Sequence, residues 1–214
     1  MELSRPLASL LPSADAGALT VLLGTEALLT GRRIAELAGE ATHTSTLRAL
    51  RRLTAQGIVQ VETAGRANLY RLNREHLLAP ALRELADADA RLRQALIDRV
   101  SAWTVPAVHV SLYGSVARGE ATSASDVDVL VVRPDKLSPE EMSRWEDQLA
   151  AVEHEVFAWT GNHLSWLETT PLDLRRAAAA EEPLFRSWRD DALLLVGGPL
   201  TAVLRGPGST RESG

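Results

Sequence analysis

The sequence predicts an α/β (α+β) fold, with a β-hairpin in the first third of the chain and further strands in the second half. Leucines at helical spacing indicate several amphipathic helices. Residues 107–113 alternate between apolar and mixed positions, as a strand does. Asp126-Val127-Asp128 begins the apolar run 129–132. With 214 residues, 45% of them hydrophobic and 24% charged, the chain is typical of a globular protein long enough for two modest domains.

Three helices and a hairpin are predicted for the first 75 residues. Ser13 precedes leucines at helical spacing and fits an N-cap, and glycines end each of the helices. The predicted elements are a helix from Ser13 to Gly24, a short helix at residues 34–38, a longer helix at residues 43–56, and hairpin strands at residues 58–62 and 68–72.

This order of elements resembles a winged helix-turn-helix domain of the kind found in small bacterial transcription regulators, and the resemblance implies that residues 1–75 bind double-stranded DNA. The charge favours this interpretation, because residues 1–75 carry a net charge of +2 and the rest of the chain carries −7. No acidic residue lies between Glu40 and Glu62. The alternative is a protein-interaction module with a solvated arginine face.

The resemblance places the DNA contacts at the start of the longer helix, on its later arginines and at the hairpin tip. Hydroxyl and imidazole groups can reach base edges or phosphates, and arginines suit the phosphate backbone. The expected DNA-binding residues are Thr42, His43, Thr44, Ser45, Thr46, Arg48, Arg51, Arg52 and, at the tip of the wing, Arg66. Since regulators of this type bind two half-sites as dimers, a homodimer is expected.

A helical linker and a second set of elements follow. Leucine spacing predicts one long helix or two abutting helices at residues 76–101, with Pro80 permitting a break. A helix at residues 138–160 begins with a serine cap and a proline in its first turn. Its expected core residues are Trp145, Val152, Val156 and Trp159. The remaining predictions are a strand at residues 162–168, helices at 171–180 and 182–190, a strand at 192–196 and a mobile tail at 206–214.

The most informative motif follows the strand at residues 107–113. Gly114 supplies the freedom for a tight exit turn, and a Gly114-Ser115 turn that begins a helix can bind an anion through its N–H groups and the Ser115 hydroxyl. Asp126 and Asp128 are two apart in a strand-like run, so both carboxylates project from one face and repel unless a cation lies between them. Hard oxygen ligands near a phosphate site suit Mg²⁺ or Mn²⁺ bound to a triphosphate.

The combined motif resembles the minimal branch of the nucleotidyltransferase superfamily of DNA polymerase beta, whose pattern is Gly-Ser-x-Ala-Arg-Gly, five residues, then Ser-Asp-x-Asp. The matching positions are Gly114, Ser115, Ala117, Arg118, Gly119, Ser125, Asp126 and Asp128. The resemblance implies a small mixed sheet flanked by helices. It also implies two-metal transfer of a nucleoside monophosphate from an NTP to a small molecule or a protein.

The same resemblance assigns the roles of the site residues. Asp126 and Asp128 would hold the metal ions and act in catalysis. The nucleotide-binding residues would be Gly114, Ser115, Arg118 and Ser125. Arg118 would either contact phosphate or pair with a neighbouring carboxylate to fix the loop.

The family pattern also has a third carboxylate on a later strand, where it helps to deprotonate the acceptor hydroxyl. The candidate strand, residues 162–168, contains no aspartate. His163 is the candidate for that place as a catalytic general base, since the reference pKa of histidine is about 6.5. Glu168 lies at the far end, on the face opposite to His163, and is more simply a capping residue. A catalytically impaired, nucleotide-sensing transcription regulator is therefore an alternative to an active transferase. An antitoxin-like protein is a further alternative, because minimal nucleotidyltransferases often resemble members of toxin–antitoxin pairs.

Other features of the sequence limit the classes of protein to which the chain can belong. The chain has no cysteine, which excludes disulfides and thiolate metal sites. No segment approaches the roughly 20 apolar residues of a membrane helix, and the N-terminus lacks the order of a signal peptide, so a cytoplasmic protein with no membrane partner is expected. The predicted domains are a winged helix-turn-helix at residues 1–75, a linker at 76–101, a nucleotidyltransferase domain at 102–205 and a flexible tail at 206–214.

Overall fold

Helices and strands alternate along the chain largely as the leucine and glycine spacing predicts. The computed structural model describes residues 1–11, 14–39, 42–180, 188 and 192–205. A short 3-10 helix, Pro6–Ser9, comes first. The α-helices are α1 (Ala14–Leu23), α2 (Gly31–Ala38), α3 (His43–Ala55), α4 (Ala79–Ala86), α5 (Ala88–Ser101), α6 (Gly114–Ala117), α7 (Pro139–Thr160), α8 (Pro171–Ala179) and α9 (Leu200–Arg205). The strands are β1 (Leu29–Thr30), β2 (Val59–Ala64), β3 (Ala67–Leu72), β4 (His109–Leu112), β5 (Val127–Val132), β6 (Leu164–Thr169) and β7 (Leu193–Gly197).

The chain folds as two compact units. The first comprises residues 2–89, and the second comprises residues 90–214 together with Met1. The predicted linker at residues 76–101 consists of two helices, α4 and α5, and the boundary between the units lies within it, near the start of α5.

In the first unit, α1, α2 and α3 surround an apolar core beside a three-stranded antiparallel sheet of order β1-β3-β2. The predicted hairpin strands correspond to β2 and β3. Threonines start two of the helices: Thr30 accepts the N–H of Arg33 at the start of α2, and Thr42 accepts that of Ser45 at the start of α3. The most buried side chains of this core include Leu19, Leu22, Ile34 and Leu50.

In the second unit, four strands form a mixed sheet of order β6-β5-β4-β7. Strand β4 pairs antiparallel with β5 and with β7, whereas β5 and β6 are parallel. Leu130 and Val132 of β5 pack against Leu174 of α8 and the apolar side chains of α9. The α/β fold with a small mixed sheet is therefore confirmed.

Helix α7 lies against β6 and contributes a buried aromatic cluster. Trp145 is fully buried, and its ring meets that of Trp103 edge to face with 5.2 Å between centroids. Trp166 of β6 donates its indole N–H to the Leu149 carbonyl of α7 at 3.3 Å. The Trp166 hydrogen bond holds β6 against α7.

The register of β4, β5 and β6 brings the sequence motifs to one end of the sheet. Leu112 of β4 pairs with Val129 of β5, so the end of β4 lies beside the start of β5. Asp128 pairs in turn with Ser165 of the parallel strand β6. The Gly-Ser motif, the aspartates and the start of β6 thus follow one another across three adjacent strands.

One prediction about the second unit is wrong, and two others concern residues that the structure does not describe. Trp145, Val152 and Val156 are buried as expected, but the prediction that Trp159 is a core residue is wrong, because its side chain is 44% exposed and the last turn of α7 buries Thr160 instead. The helix at 182–190, apart from Trp188, and the tail at 206–214 lie outside the described residues.

Within the described ranges, no helix combines the length and the apolar character that crossing a membrane requires.

A histidine is buried on β4. His109 is only 2% exposed. A carbonyl can only accept, so Nδ1 of His109 donates to the Gly198 carbonyl at 2.7 Å. Nε2 of the neutral ring therefore accepts a hydrogen bond from the Ser111 hydroxyl at 2.9 Å. Burial lowers the pKa of His109 below its usual 6.5, against a smaller opposing effect of the Gly198 hydrogen bond.

Acidification should therefore destabilise the protein through His109. As the pH falls below about 6.5, the unfolded chain takes up a proton that the folded chain resists, so the free energy of unfolding decreases. Urea unfolding measured between about pH 7.5 and pH 5.5 should show this loss, and His109→Gln should flatten it. His154→Gln, which changes an exposed histidine of α7, is the control. An equally steep pH dependence in His109→Gln would contradict the assignment.

Candidate functional site

The end of β4 and the start of β5 are in direct contact at Gly114 and Asp128. The Tyr113 N–H donates to the Asp128 carbonyl at 3.0 Å. Gly114 has a φ of +68°, and a Cβ built on it would clash with Oδ2 of Asp128 and lie 3.2 Å from its Cγ. Only glycine fits both the backbone conformation and the space here. The turn proposed to hold phosphate therefore touches one of the proposed metal ligands.

The two aspartates are close enough to interact electrostatically. Asp128 is half-buried on β5, and Asp126 is exposed just before that strand. Burial raises the pKa of Asp128 above its usual value, the charge of Asp126 raises it further, and the charge of Arg118 lowers it. A carboxylate in this position is stabilised by a cation. The donor set, two carboxylates with hard oxygen atoms, fits Mg²⁺ or Mn²⁺.

The loop after Gly114 is closed by its own hydrogen bonds. Helix α6 is a single turn, and the Glu120 N–H returns to the Ser115 carbonyl at 2.8 Å. Arg118 Nε donates to a carboxylate oxygen of Glu120 at 2.8 Å. Of the two alternatives for Arg118, pairing with a neighbouring carboxylate is thus present in the structure. Ser115 is partly buried within this loop.

Asn162 is a positioning residue that the sequence analysis missed. It is 2% exposed, and its amide Nδ2 donates to the Ser125 carbonyl at 2.9 Å and to the Thr122 carbonyl at 3.3 Å. Ser125 itself closes this turn, because its hydroxyl accepts the Thr122 N–H at 3.0 Å. The turn leads directly into Asp126. The only sequence signal was an asparagine after Gly161, the left-handed residue that ends α7.

Tyr113 is a second residue at the site that the sequence analysis did not single out. It is partly buried, and its ring lies edge to face with that of Trp188, with 6.3 Å between centroids. Burial raises the pKa of the Tyr113 hydroxyl, and the charge of Asp128 raises it further. Tyr113 therefore lies close enough to Asp128 for the carboxylate charge to act on its hydroxyl.

Strand β6 presents a serine, and not the histidine proposed from the sequence, directly beside Asp128. The parallel register pairs Asp128 with Ser165, whereas His163 precedes the strand and its carbonyl accepts the Val127 N–H at 2.7 Å. The His163 ring stacks on Phe157 of α7, with 4.9 Å between centroids. A catalytic role for His163 remains a prediction, and Ser165 is the residue that sequence reasoning overlooked.

Glu168 does more than end β6, because its carboxylate forms an ion pair. Its carboxylate pairs with Nε of Arg133 at 2.7 Å. Strand alternation puts Glu168 on the face opposite to that of Ser165. Across the described parts of the chain, no group of three or more His, Asp or Glu side chains lies close enough together to hold a metal ion. The candidate site is thus a pair of carboxylates.

In the first unit, most residues expected to bind DNA lie on the surface. The exposed ones are Thr42, His43, Thr44, Arg48, Arg51, Arg52 and Arg66, and Ser45 is partly exposed. Thr46 is fully buried, so its side chain cannot reach DNA and that expectation is wrong. It lies on the inner face of α3, four positions before Leu50 of the core.

Some of these side chains already have structural roles. Thr42 caps α3, and the Ser45 hydroxyl donates back to the Thr42 carbonyl at 2.8 Å. Arg52 forms an ion pair with Asp15 of α1, which is 6% exposed. The ion pair of Arg52 with Asp15 competes with any contact to phosphate. Arg48 and Arg51 are the more suitable arginines for a nucleic acid.

No curated protein matches this chain. A crystal structure of a toxin–antitoxin with AMP-PNP shows 17% identity and a TM-score of 0.37, over 53% of this chain and 81% of that one. A mutant of the toxin–antitoxin MntA-HpeT shows 15% identity and a TM-score of 0.36, over 53% of this chain and 80% of that one. Residues 90–168, which include α6, β5 and all of β6 except Thr169, match the model of the nucleotidyltransferase domain family.

Proposed function

We propose that the second unit binds an NTP with a divalent cation and transfers the nucleoside monophosphate to an acceptor, releasing pyrophosphate. The main support is the contact between Gly114 and Asp128, because it joins a turn able to hold phosphate to a carboxylate able to hold a cation. The family match over residues 90–168 supports the same chemistry.

In this mechanism Gly114 and Ser115 hold the triphosphate through backbone N–H groups and the serine hydroxyl. Asp126 and Asp128 hold the cation, which supplies charge neutralisation at the reacting phosphate. The partly buried environment of Asp128 and Tyr113 strengthens these charge interactions. Asn162 keeps the turn before Asp126 in place through its two amide hydrogen bonds.

The strand order suggests where the acceptor approaches. The phosphate-binding turn follows β4, the carboxylates lie at the start of β5, and β6 begins on the other side. In an in-line displacement the attacking and leaving oxygens lie on opposite sides of the phosphorus. If pyrophosphate leaves on the β4 side, the acceptor hydroxyl enters from the β6 side, past Ser165 and His163.

The test is a transfer assay with NTPs labelled in the α-phosphate, in Mg²⁺ or Mn²⁺, with the protein itself, lysate proteins and small hydroxyl compounds as acceptors. Labelled product and released pyrophosphate in equal amounts would support the proposal. Binding of a nonhydrolysable NTP is measured in parallel. A protein that neither binds nucleotide nor releases pyrophosphate under any of these conditions would rule it out.

We also propose that residues 1–75 form a winged helix-turn-helix that binds double-stranded DNA as a homodimer. The supporting observation is that α3 and the β2–β3 hairpin expose basic side chains, Arg48, Arg51 and Arg66. The strand order β1-β3-β2 beside three helices is compatible with this type of domain.

Arg51→Ala should weaken DNA binding and lower the slope of log affinity against log salt by about one unit, because one phosphate contact is lost. Fluorescence anisotropy with a labelled duplex at several salt concentrations measures both quantities. Arg144→Ala removes the same charge from an exposed ion pair with Glu140 in the second unit and serves as the control. Equal effects of the two substitutions would mean that binding responds to net charge alone.

A nucleotide-sensing regulator is the second candidate for the whole chain. It is favoured by the serine that stands beside Asp128, since nucleotide can bind there without a third carboxylate. For this function, NTP with Mg²⁺ must bind one state of the protein more tightly than another. The anisotropy titration repeated with and without a nonhydrolysable NTP tests it, and identical DNA affinities would exclude it.

A further inference from the structure

The residue of β6 that lies directly beside Asp128 is Ser165. In parallel strands, residues that pair across the ladder project from the same face of the sheet, about 4.8 Å apart. Asp128 and Ser165 are such a pair, and Ser165 is exposed. A side chain at position 165 is therefore the closest one that β6 can offer to a cation held by Asp128.

Two divalent cations need more carboxylates than the described residues provide at this place. In two-metal sites the ions lie about 3.5–4 Å apart and repel each other, so carboxylates must bridge and flank them. The second unit supplies Asp126 and Asp128 at this place. A neutral serine hydroxyl adds no charge, and Mg²⁺ prefers carboxylates and phosphates among its protein and substrate ligands.

Within the part of the chain that the structure describes, neighbouring groups do not supply the missing charge. Glu168 is paired with Arg133 and lies on the opposite face of β6. Glu120 is paired with Arg118. His163 is stacked on Phe157 and forms no three-residue cluster with the aspartates among the residues described.

We propose that this chain binds a single divalent cation with its NTP, and that Ser165 occupies the place at which a carboxylate would create a second cation site. The proposal rests on the proposed binding of NTP and cation by the second unit. The single cation is held between Asp126, Asp128 and the triphosphate. The acceptor side of the site, at β6, has no cation of its own.

The experiment counts Mn²⁺ by electron paramagnetic resonance in the full chain saturated with a nonhydrolysable ATP analogue. The wild-type protein should hold one Mn²⁺ per bound nucleotide. Ser165→Asp should hold two, with the affinity for the second ion at least about tenfold above any in the wild type, because a carboxylate now faces Asp128. Ser165→Glu provides a second carboxylate of different length.

Matched variants separate geometry from charge. Ser165→Asn has the shape of aspartate without its charge and should hold one Mn²⁺. Ser143→Asp adds a charge at an exposed position of α7 and should also hold one. Two ions in the wild type would overturn the proposal, as would one ion in both Ser165→Asp and Ser165→Glu. A wild-type protein that binds neither nucleotide nor Mn²⁺ would instead refute the proposed function.

Discussion

Replacing Asp128 with asparagine should abolish nucleotidyl transfer and at the same time raise the melting temperature of the cation-free protein. Activity should fall by about a thousandfold or more, because the proposed cation ligand, which would contribute several kcal/mol, is lost. The opposite effect on stability follows from the raised pKa of Asp128, since burial and the charge of Asp126 disfavour its ionised form. At neutral pH the folded chain holds that charge at a cost, and the asparagine variant does not.

The sign of the stability effect can be checked with pH. A raised folded-state pKa means that the folded protein binds the proton more tightly than the unfolded chain, so the contribution of Asp128 to stability falls as the pH rises through its folded pKa. The gain in melting temperature of Asp128→Asn should therefore be present at neutral pH and disappear in acid. Added Mg²⁺ should stabilise the wild type and not the variant.

Asp147→Asn is the matched control, since it removes a carboxylate from an exposed position of α7. It should leave transfer, the Mg²⁺ effect and the melting temperature nearly unchanged. Differential scanning fluorimetry with and without Mg²⁺, together with the transfer assay, covers all of these quantities. A lower melting temperature for Asp128→Asn in the absence of cations would contradict the electrostatic interpretation.

Gly114→Ala should both destabilise the second unit and eliminate nucleotide binding. The alanine would have to adopt a φ of +68°, and its Cβ would press on the carboxylate of Asp128. Backbone strain and overpacking together should cost about 2–5 kcal/mol. The displaced Asp128 would no longer be aligned with the turn proposed to bind phosphate.

The chain offers a close control for this substitution in Gly119. Its φ is +69°, but no atom lies within 4 Å of a Cβ built there. Gly119→Ala should therefore show the backbone strain alone, about 1–2 kcal/mol, and should keep nucleotide binding. Urea unfolding and nucleotide titration separate the two effects. Equal losses in Gly114→Ala and Gly119→Ala would mean that the contact with Asp128 has no special importance.

Local patterns in the sequence were enough to predict most of the helices and strands. The alternation at residues 107–113 became β4, the apolar run after Asp128 became β5, and the serine cap before Pro139 begins α7 with a capping box. Each of these elements is determined by residues close together in the chain. The same is true of the hairpin β2–β3.

The parts that could not be predicted depend on contacts between distant residues. Which residue of β6 faces Asp128 is a matter of register between two strands separated by α7, and this is why His163 was considered and Ser165 was not. The hydrogen bonds of Asn162 to the turn before Asp126, and the pairing of Arg52 with Asp15, likewise join distant segments. Thr46 is buried because this position of α3 faces the core. Its polar hydroxyl group did not indicate a core position in the sequence.

The pairing of β4 with β5 has a consequence for the order of folding. These strands are neighbours in sequence, whereas β7 joins β4 only after most of the second unit has been traversed. Closing a short loop costs less chain entropy than closing a long one, so contacts between sequence neighbours form early. We expect pulsed hydrogen exchange during refolding to protect the amides of β4 and β5 before those of β7. The turn after β4 and the aspartates of β5 would then come together before the sheet is complete.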